Sequence, residues 1–298
     1  MNDAHREAST LSRPERIVFR GRRAGVGEWR CHLAWPTFGD TGPTIRYLVA
    51  FPRTSVRIRH EGSRSFVTDA SIFTMYNAGQ RYTREPVHPA GDLCDWWSVD
   101  LETAQAIARA VDPLAPHDTD RPFRFENGPA DADLYMRQRT TLHRIKAGLV
   151  DPLEAEERAM GIVERALRNA AGAAQEARSR GNRAQRDLAE AALALIAARF
   201  RERLTLDDIA SALGVSAFHL CRVFRRETGA LLHRHVLRLR VRASLEAVAS
   251  DDDLSAVALD AGFCSHSHFT AAFVREFGVP PSAWRSGAWR QRESLRRV

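Results

Sequence analysis

One pattern occurs twice near the C-terminus, and it restricts the fold more than any other feature. LTLDDIASALGVSAFHLCRVFRRETG (204–229) and DLSAVALDAGFCSHSHFTAAFVREFG (253–278) share their landmarks. Each begins with a short helical stretch holding an alanine, Ala210 or Ala258, and then a glycine, Gly214 or Gly262, where the chain must turn. A serine follows, Ser216 or Ser265, suited to cap the next helix through its hydroxyl. The second helix carries an apolar pair at i,i+4, Leu220/Phe224 or Phe269/Phe273. Both copies close on Glu and Gly: Glu227 and Gly229, then Glu276 and Gly278. From the capping serine onward the offset is 49 residues, and the second copy has one extra residue in its turn. Helix, tight turn with glycine, helix is the helix-turn-helix pattern. In that motif the second helix lies in the DNA major groove with its N-terminal residues at the base edges. Two copies joined by one long helix, expected over 231–248, call for an all-α domain over 188–290. The motifs are expected at about 206–228 and 254–277. Without DNA, the same residues describe only a helical domain.

A helical wheel separates the buried face from the outer one. With Phe269 at zero and about 100° per residue, Phe273 and Phe277 fall near 40° and 80° and Ala272 near 300°. Ser267, Ala271 and Val274 lie opposite, flanked by His268 and Arg275 on one side and His266 and Thr270 on the other. In the first copy Phe218, Arg222 and Arg225 point outward, flanked by Ala217, His219, Cys221 and Arg226. Arg222 sits where a guanidinium can donate a bidentate pair to guanine O6 and N7. Phe218 could meet a thymine methyl or pack as a partly buried aromatic. Arg225 and Arg226 suit phosphates, which position a protein without reading sequence. His266 and His268 would share one face of a strand, as a metal pair needs, but diverge by about 200° on a helix. The phenylalanine stripe and the Ser265 cap favour the helix.

The rest of the chain reads differently. IRYLVAF (45–51), SVRIRH (55–60) and 65–83, with a turn at Asn77-Ala78-Gly79, are strand-like and punctuated by Pro and Gly. They predict a small antiparallel barrel or sandwich over 17–100, after a disordered lead-in at 1–16. Residues 101–170 turn helical, with a Pro- and Asp-rich loop at 112–131. Helices over 132–149 and 152–170 could pack on each other or on a second subunit, with Leu153, Met160, Val163 and Leu167 on one side. Residues 171–187 lack apolar anchors beyond alanine and read as a linker. Residues 291–298 form a basic tail. The fold class is α+β: an N-terminal antiparallel β-barrel, then helices, then the all-α domain.

Composition sets limits. The chain of 298 residues is long enough for two domains and carries a net charge of +7. From Arg199 onward 16 arginines face 11 acidic residues, which suits a polyanion. Lys146 is the only lysine. The four cysteines are scattered, and no apolar run is long enough for a membrane span. Reduced thiols in a cytoplasm without signal or anchor are expected. His60 stands alone where a metal-binding strand would carry a second histidine two residues earlier, at Ile58. No phosphate loop, nucleophile elbow or zinc motif occurs. No catalytic residue, metal or cofactor is expected. Trp29, Trp35, Trp96 and Trp97, with Tyr47, Phe51 and Tyr82, form core or line a small-molecule pocket.

Residues 188–290 resemble the DNA-binding domain of the AraC/XylS family of bacterial transcription regulators. LGVSAFHLCRVFRRETG, Arg240 with Ala243, and GFCSHSHFTAAFVREFGVPPSAWR carry the resemblance. Gly262, Phe263, Ser265, Phe269, Phe273, Phe277, Gly278, Pro281 and Arg285 match its second motif. Residues 30–100 resemble, more weakly, the cupin-like sensor barrels that precede this domain. The resemblance implies a sequence-specific regulator that inserts two recognition helices into adjacent major grooves. Phe218, Cys221 and Arg222 would face bases in the first, and His266, Ser267 and Ala271 in the second. Ser216, His219, Ser265, His268, Thr270 and Arg275 complete the expected contact set. Ala271 and Val274 stand where longer polar side chains are common, so the first helix is expected to read bases more strongly. The expected partners are double-stranded DNA, an unidentified small effector, RNA polymerase and a second copy as homodimer. The competing reading is a cupin-type enzyme or binding protein with a helical appendage.

Overall fold

The computed structural model describes residues 14–36, 38–40, 42–112, 119–177, 183–250 and 253–286. Most of the expected lead-in and all of the basic tail lie outside them. The chain divides into two compact units, residues 1–180 and 181–298.

The first unit holds two antiparallel sheets. The strands are β1 (Glu15–Arg20), β2 (Ala24–Cys31), β3 (Tyr47–Pro52), β4 (Val56–His60), β5 (Phe66–Thr68), β6 (Ile72–Tyr76), β7 (Tyr82–Pro86), β8 (Asp92–Val99) and β9 (Asn127–Pro129). The larger sheet runs β1-β2-β8-β3-β6-β9 and the smaller β5-β4-β7. Strand alternation gives β8 two unlike faces. Trp97 enters a core with Val26, Val49, Phe51 and Phe73, and this core is completed by helices. Its neighbour Trp96 points the other way, into a smaller cluster with Val56, Ile58 and Tyr76 between the sheets.

The helices covering the larger sheet are α1 (Leu101–Val111), α2 (Ala132–Lys146) and α3 (Pro152–Ala177). Asp100 caps α1 by accepting from the Thr103 amide at 2.8 Å, and Asp131 caps α2 through Leu134 at 2.8 Å. Leu134 and Leu142 of α2, with Ile162, Val163 and Leu167 of α3, are buried in the sheet core. The faces expected to offer a second subunit a contact are therefore turned largely onto the sheet. A buried ion network also ties α2 down. Glu28 accepts from Lys146 at 3.0 Å, and Asp95, its cross-strand neighbour, pairs with Arg53 and Arg139.

Three boundaries and one burial differ from expectation. β1 begins at Glu15, inside the lead-in, because it pairs with β2. β9 interrupts the helical stretch and pairs with β6, its Gly128 lying against Ala170 where a Cβ would sit 3.0 Å away. α3 continues to Ala177, into the expected linker. Alanine-rich AGAAQEA needs no apolar anchor to stay helical, since alanine has the highest helix propensity. Leu153 is 68% exposed rather than packed with Val163 and Leu167, because it sits in the first turn of α3.

The second unit is all helical: α4 (Arg183–Arg199), α5 (Leu206–Ala212), α6 (Ala217–Thr228), α7 (Leu232–Ala243), α8 (Leu245–Ala249), α9 (Leu254–Asp260), α10 (His266–Phe277) and α11 (Pro281–Arg285). The long connecting helix expected over 231–248 is two helices. They break at Ser244, whose hydroxyl donates back to the Val241 carbonyl at 2.7 Å.

Candidate nucleic-acid interface

The two copies of the repeat fold alike. α5 and α9 both end on a glycine with positive φ, 65° at Gly214 and 88° at Gly262. The next amide, of Val215 or Phe263, donates to the carbonyl of Ala210 or Ala258 at 3.1 and 2.9 Å. This six-to-one bond with a left-handed glycine is the Schellman stop. It accounts for the alanines and glycines that recur in the sequence. Ser216 and Ser265 then accept from the amides of His219 and His268, each at 3.2 Å. Each hydroxyl keeps its proton free to donate outward. α6 and α10 end on Gly229 and Gly278, both at φ 71°.

Leu220, Phe224, Phe269 and Phe273 are fully buried, and each such side chain contributes about 1.5–3 kcal/mol through its burial. Phe277, expected in the same core, is only half-buried, because it lies at the last turn of α10 and stacks on Trp284 at 6.5 Å. Phe263 and Pro281 are buried. Arg285 of α11 donates to the Val248 carbonyl at 3.2 Å.

On the outer face of α6, Phe218 is 78% exposed, so it is no packing residue. Cys221, Arg222, Arg225 and Arg226 are exposed with it, and His219 is half-buried. On α10, His266, Ser267, Ala271, Val274 and Arg275 are exposed. Two expected contacts fit less well. Thr270 sits on the shoulder of the helix with its hydroxyl oxygen buried, so that oxygen cannot meet a base or phosphate from there. His268 is half-buried, its ring edge-on to Phe263 at 5.3 Å and its Nδ1 3.6 Å from the Cys264 sulfur. His266 and His268 lie on the helix, as the stripe implied.

The two motifs are held together by groups that sequence reading largely missed. Arg242 is buried and pairs with Glu276 of α10, its Nε donating at 2.7 Å. Arg238 adds a 3.6 Å contact to the same carboxylate. Arg240 donates to the Phe200 and Glu202 carbonyls at 2.6 and 2.7 Å, and its guanidinium lies over the Phe263 ring. The repeated Glu at the end of each second helix was visible, but its buried arginine partner was not.

A family model described as a helix-turn-helix domain matches residues 209–287. The HTH-type transcriptional activator AarP of Providencia stuartii is 34% identical over 94 residues, 31% of this chain and 70% of that protein. The chain belongs to the AraC/XylS family of bacterial transcription regulators. The probable transcription factor PqrA of Proteus vulgaris is 31% identical over 85 residues, 28% of this chain and 70% of its own length. The melibiose operon regulatory protein of Escherichia coli is 28% identical over 105 residues, and the match spans 35% of this chain but only 34% of that protein. An AraC-type regulator structure from Chromobacterium violaceum is 27% identical over 35% of this chain and 95% of its own, with a TM-score of 0.32. A structure of apo ToxT, in a variant form, from Vibrio cholerae is 11% identical over 89% of this chain and 98% of its own, at 0.36. As an AraC/XylS-family member the chain is a DNA-binding transcription regulator, and its relatives give no support to the enzyme reading.

Two further features belong to this family member's surface and interior. On α7, His233 is held below the usual imidazole value of 6.5, first by partial burial and then by the positive charge of His268, Arg275, Arg240 and Arg234. That constellation places a basic patch beside α10. In the sheet unit, a cavity of about 280 Å³ opens between the two sheets and is lined by Trp29, Tyr76, Tyr82, Cys94 and Trp96 among others. His60, the isolated histidine, is buried beside this layer, its ring 4.9 Å from that of Tyr76. Among the described residues, no helix is long and apolar enough to cross a membrane.

Proposed function

We propose that α6 is the principal base-reading helix and α10 a second, weaker one, set in adjacent major grooves of one DNA site. The observation that carries this is the pair of identically capped and stopped helices, of which α6 exposes Phe218, Cys221 and Arg222 in its first two turns. Arg222 donates to a guanine edge, Phe218 meets a thymine methyl, and Arg225 and Arg226 hold phosphates. His219 takes a lesser part from its half-buried position. On α10, His266, Ser267 and Arg275 contact sugar, phosphate or base edges, whereas Ala271 and Val274 offer only methyl groups. Ser216 and Ser265 donate to backbone oxygens at the groove walls. The protein acts in the cytoplasm as an activator, contacting RNA polymerase and answering a small effector bound in the inter-sheet cavity.

Gel-shift titration at several salt concentrations tests the DNA reading. Binding should prefer one sequence and weaken steeply as salt rises. Equal binding to every DNA, including the region upstream of its own gene, would count against it. Arg222→Ala should cost about 1–3 kcal/mol and relax preference at a single base position. Selection of bound sequences from a random pool reads this directly, and an unchanged motif would place the reading face elsewhere.

The depressed His233 predicts a pH effect. In the free protein its imidazole stays neutral until the pH falls below the usual 6.5. A phosphate beside the patch favours the charged form, so DNA binding takes up a proton there. Affinity should therefore rise between about pH 8 and 5.5, and His233→Gln should reduce that rise. Identical pH profiles for the two proteins would remove His233 from the interface.

A further inference from the structure

The chemistry of the inter-sheet cavity limits what it can hold, and this step rests on the proposal that the cavity is the effector site. The charged side chains that line it, Glu15, Arg46 and Asp92, are already paired, and Arg84, outside the lining, keeps a buried Nε–H unmet among the described residues. Arg46 makes two hydrogen bonds to Glu15, at 2.7 and 3.4 Å, and the buried Arg84 is ion-paired with Asp92. Both guanidinium planes are also engaged by rings. Arg46 lies 4.6 Å from the Trp96 centroid, and Arg84 5.2 Å from that of Trp29. A charged ligand would have to break one of these pairs or remain unpaired, and both are costly in a buried site.

The cavity's unmet need is of the opposite kind. Trp96 is only 4% exposed, and its indole N–H meets no acceptor among the described residues; the same holds for the N–H of Trp29. Both residues line the cavity. His60 adds a third ring donor in the same layer. Gln80 accepts from the Asn77 amide through its Oε1, so its Nε2 donates to His60 Nδ1 at 2.9 Å. The proton of neutral His60 therefore sits on Nε2, which is buried without a partner. Trp97 also keeps an unmet N–H, but it lies on the helix side, in the main core and away from the cavity. The remaining wall is largely apolar and aromatic, with Leu48, Ile58, Tyr76 and Tyr82, and includes Thr44, Thr68 and Thr74. Buried donors without acceptors are costly, and a ligand acceptor relieves that cost.

We propose that the cavity takes a small neutral molecule with a flat apolar body and at least one hydrogen-bond acceptor, such as an aromatic ketone, ester or lactone, rather than an acid or an amine. At about 280 Å³ it lies at the small end of ligand pockets, which run from about 300 to 1,000 Å³.

The test uses the full chain and four matched probes: 2-acetonaphthone, 2-ethylnaphthalene, 2-naphthoate and 2-naphthylmethylamine. Binding is read by calorimetry and by the shift in melting temperature. The ketone should bind saturably, about five- to tenfold more tightly than the hydrocarbon, and the acid and amine more weakly still. Trp96→Phe and, separately, Trp29→Phe should bring the ratio of ketone to hydrocarbon affinity, taken within each variant, close to one in at least one case; an unchanged ratio in both would overturn the indole N–H groups as the donors. Two substitutions guard against one simply failing to fold. Ala50→Leu, which adds bulk to the cavity wall, should weaken every probe. Tightest binding by the acid or amine, lost in Ala50→Leu, would overturn the ligand class and leave the cavity as the site. Ketone binding untouched by Ala50→Leu would overturn the cavity as the site. Failure of all four probes to bind would overturn both.

Discussion

Phe273→Ala should destabilise the helical unit by about 3–5 kcal/mol, a large share of the roughly 5–15 kcal/mol that holds a domain folded. The ring is fully buried. It is held edge-on between Phe269 at 5.7 Å and Phe277 at 4.9 Å. Its removal leaves a cavity between rings that are themselves tied to Phe263 and Trp284, so the surroundings have little room to collapse into it. Denaturant unfolding followed by far-ultraviolet circular dichroism would show the transition of this unit moving to lower denaturant. Phe277→Ala should cost clearly less, because that ring is only half-buried. Equal midpoints for Phe273→Ala and the parent would show that the stripe is not the core.

Gly262→Ala should come close in size for another reason. At φ 88° a side chain is strained, by about 1–2 kcal/mol for a left-handed residue. A Cβ there would also stand 2.5 Å from the Arg201 carbonyl oxygen, which is backbone and cannot swing away. Overpacking of this kind adds about 1–3 kcal/mol. Gly278→Ala separates the two contributions. Its φ is 71°, but nothing lies within 4 Å of the added carbon. It should therefore carry only the conformational cost. Thermal unfolding of the two variants side by side checks this, and equal losses would mean that the approach to Arg201 relaxes freely.

The repeat was legible because everything that defines it is local. A serine cap, a Schellman glycine and an i,i+4 apolar pair each act within a few residues, and each left its mark on the sequence. The outer face of α6 followed from the same periodicity. Phe277 is shallower than its direction on the wheel implies, because a wheel gives direction but not depth and α10 ends at that residue. The sheet unit was less legible. β3, β4, β6 and β7 carry β-branched or aromatic runs, but β2 reads AGVGEWRC and is a strand only because β1 and β8 flank it. Gly27 of that strand shows the dependence: a Cβ there would strike the Trp96 ring at 2.3 Å. The tryptophans could be core or pocket, and adjacent Trp96 and Trp97 turned out to be one of each. No local pattern pairs Arg242 with Glu276, 34 residues away.

The ion network under α2 has a practical consequence. Lys146, the chain's only lysine, is committed to Glu28 in the sheet unit, so the helical unit presents no side-chain amine at all. Amine-reactive labels will therefore pass over the surface proposed to meet DNA. Footprints of this regulator should be fixed by ultraviolet light or guanidine-reactive chemistry, and acetylation of lysine is closed to the cell as a way of tuning its grip.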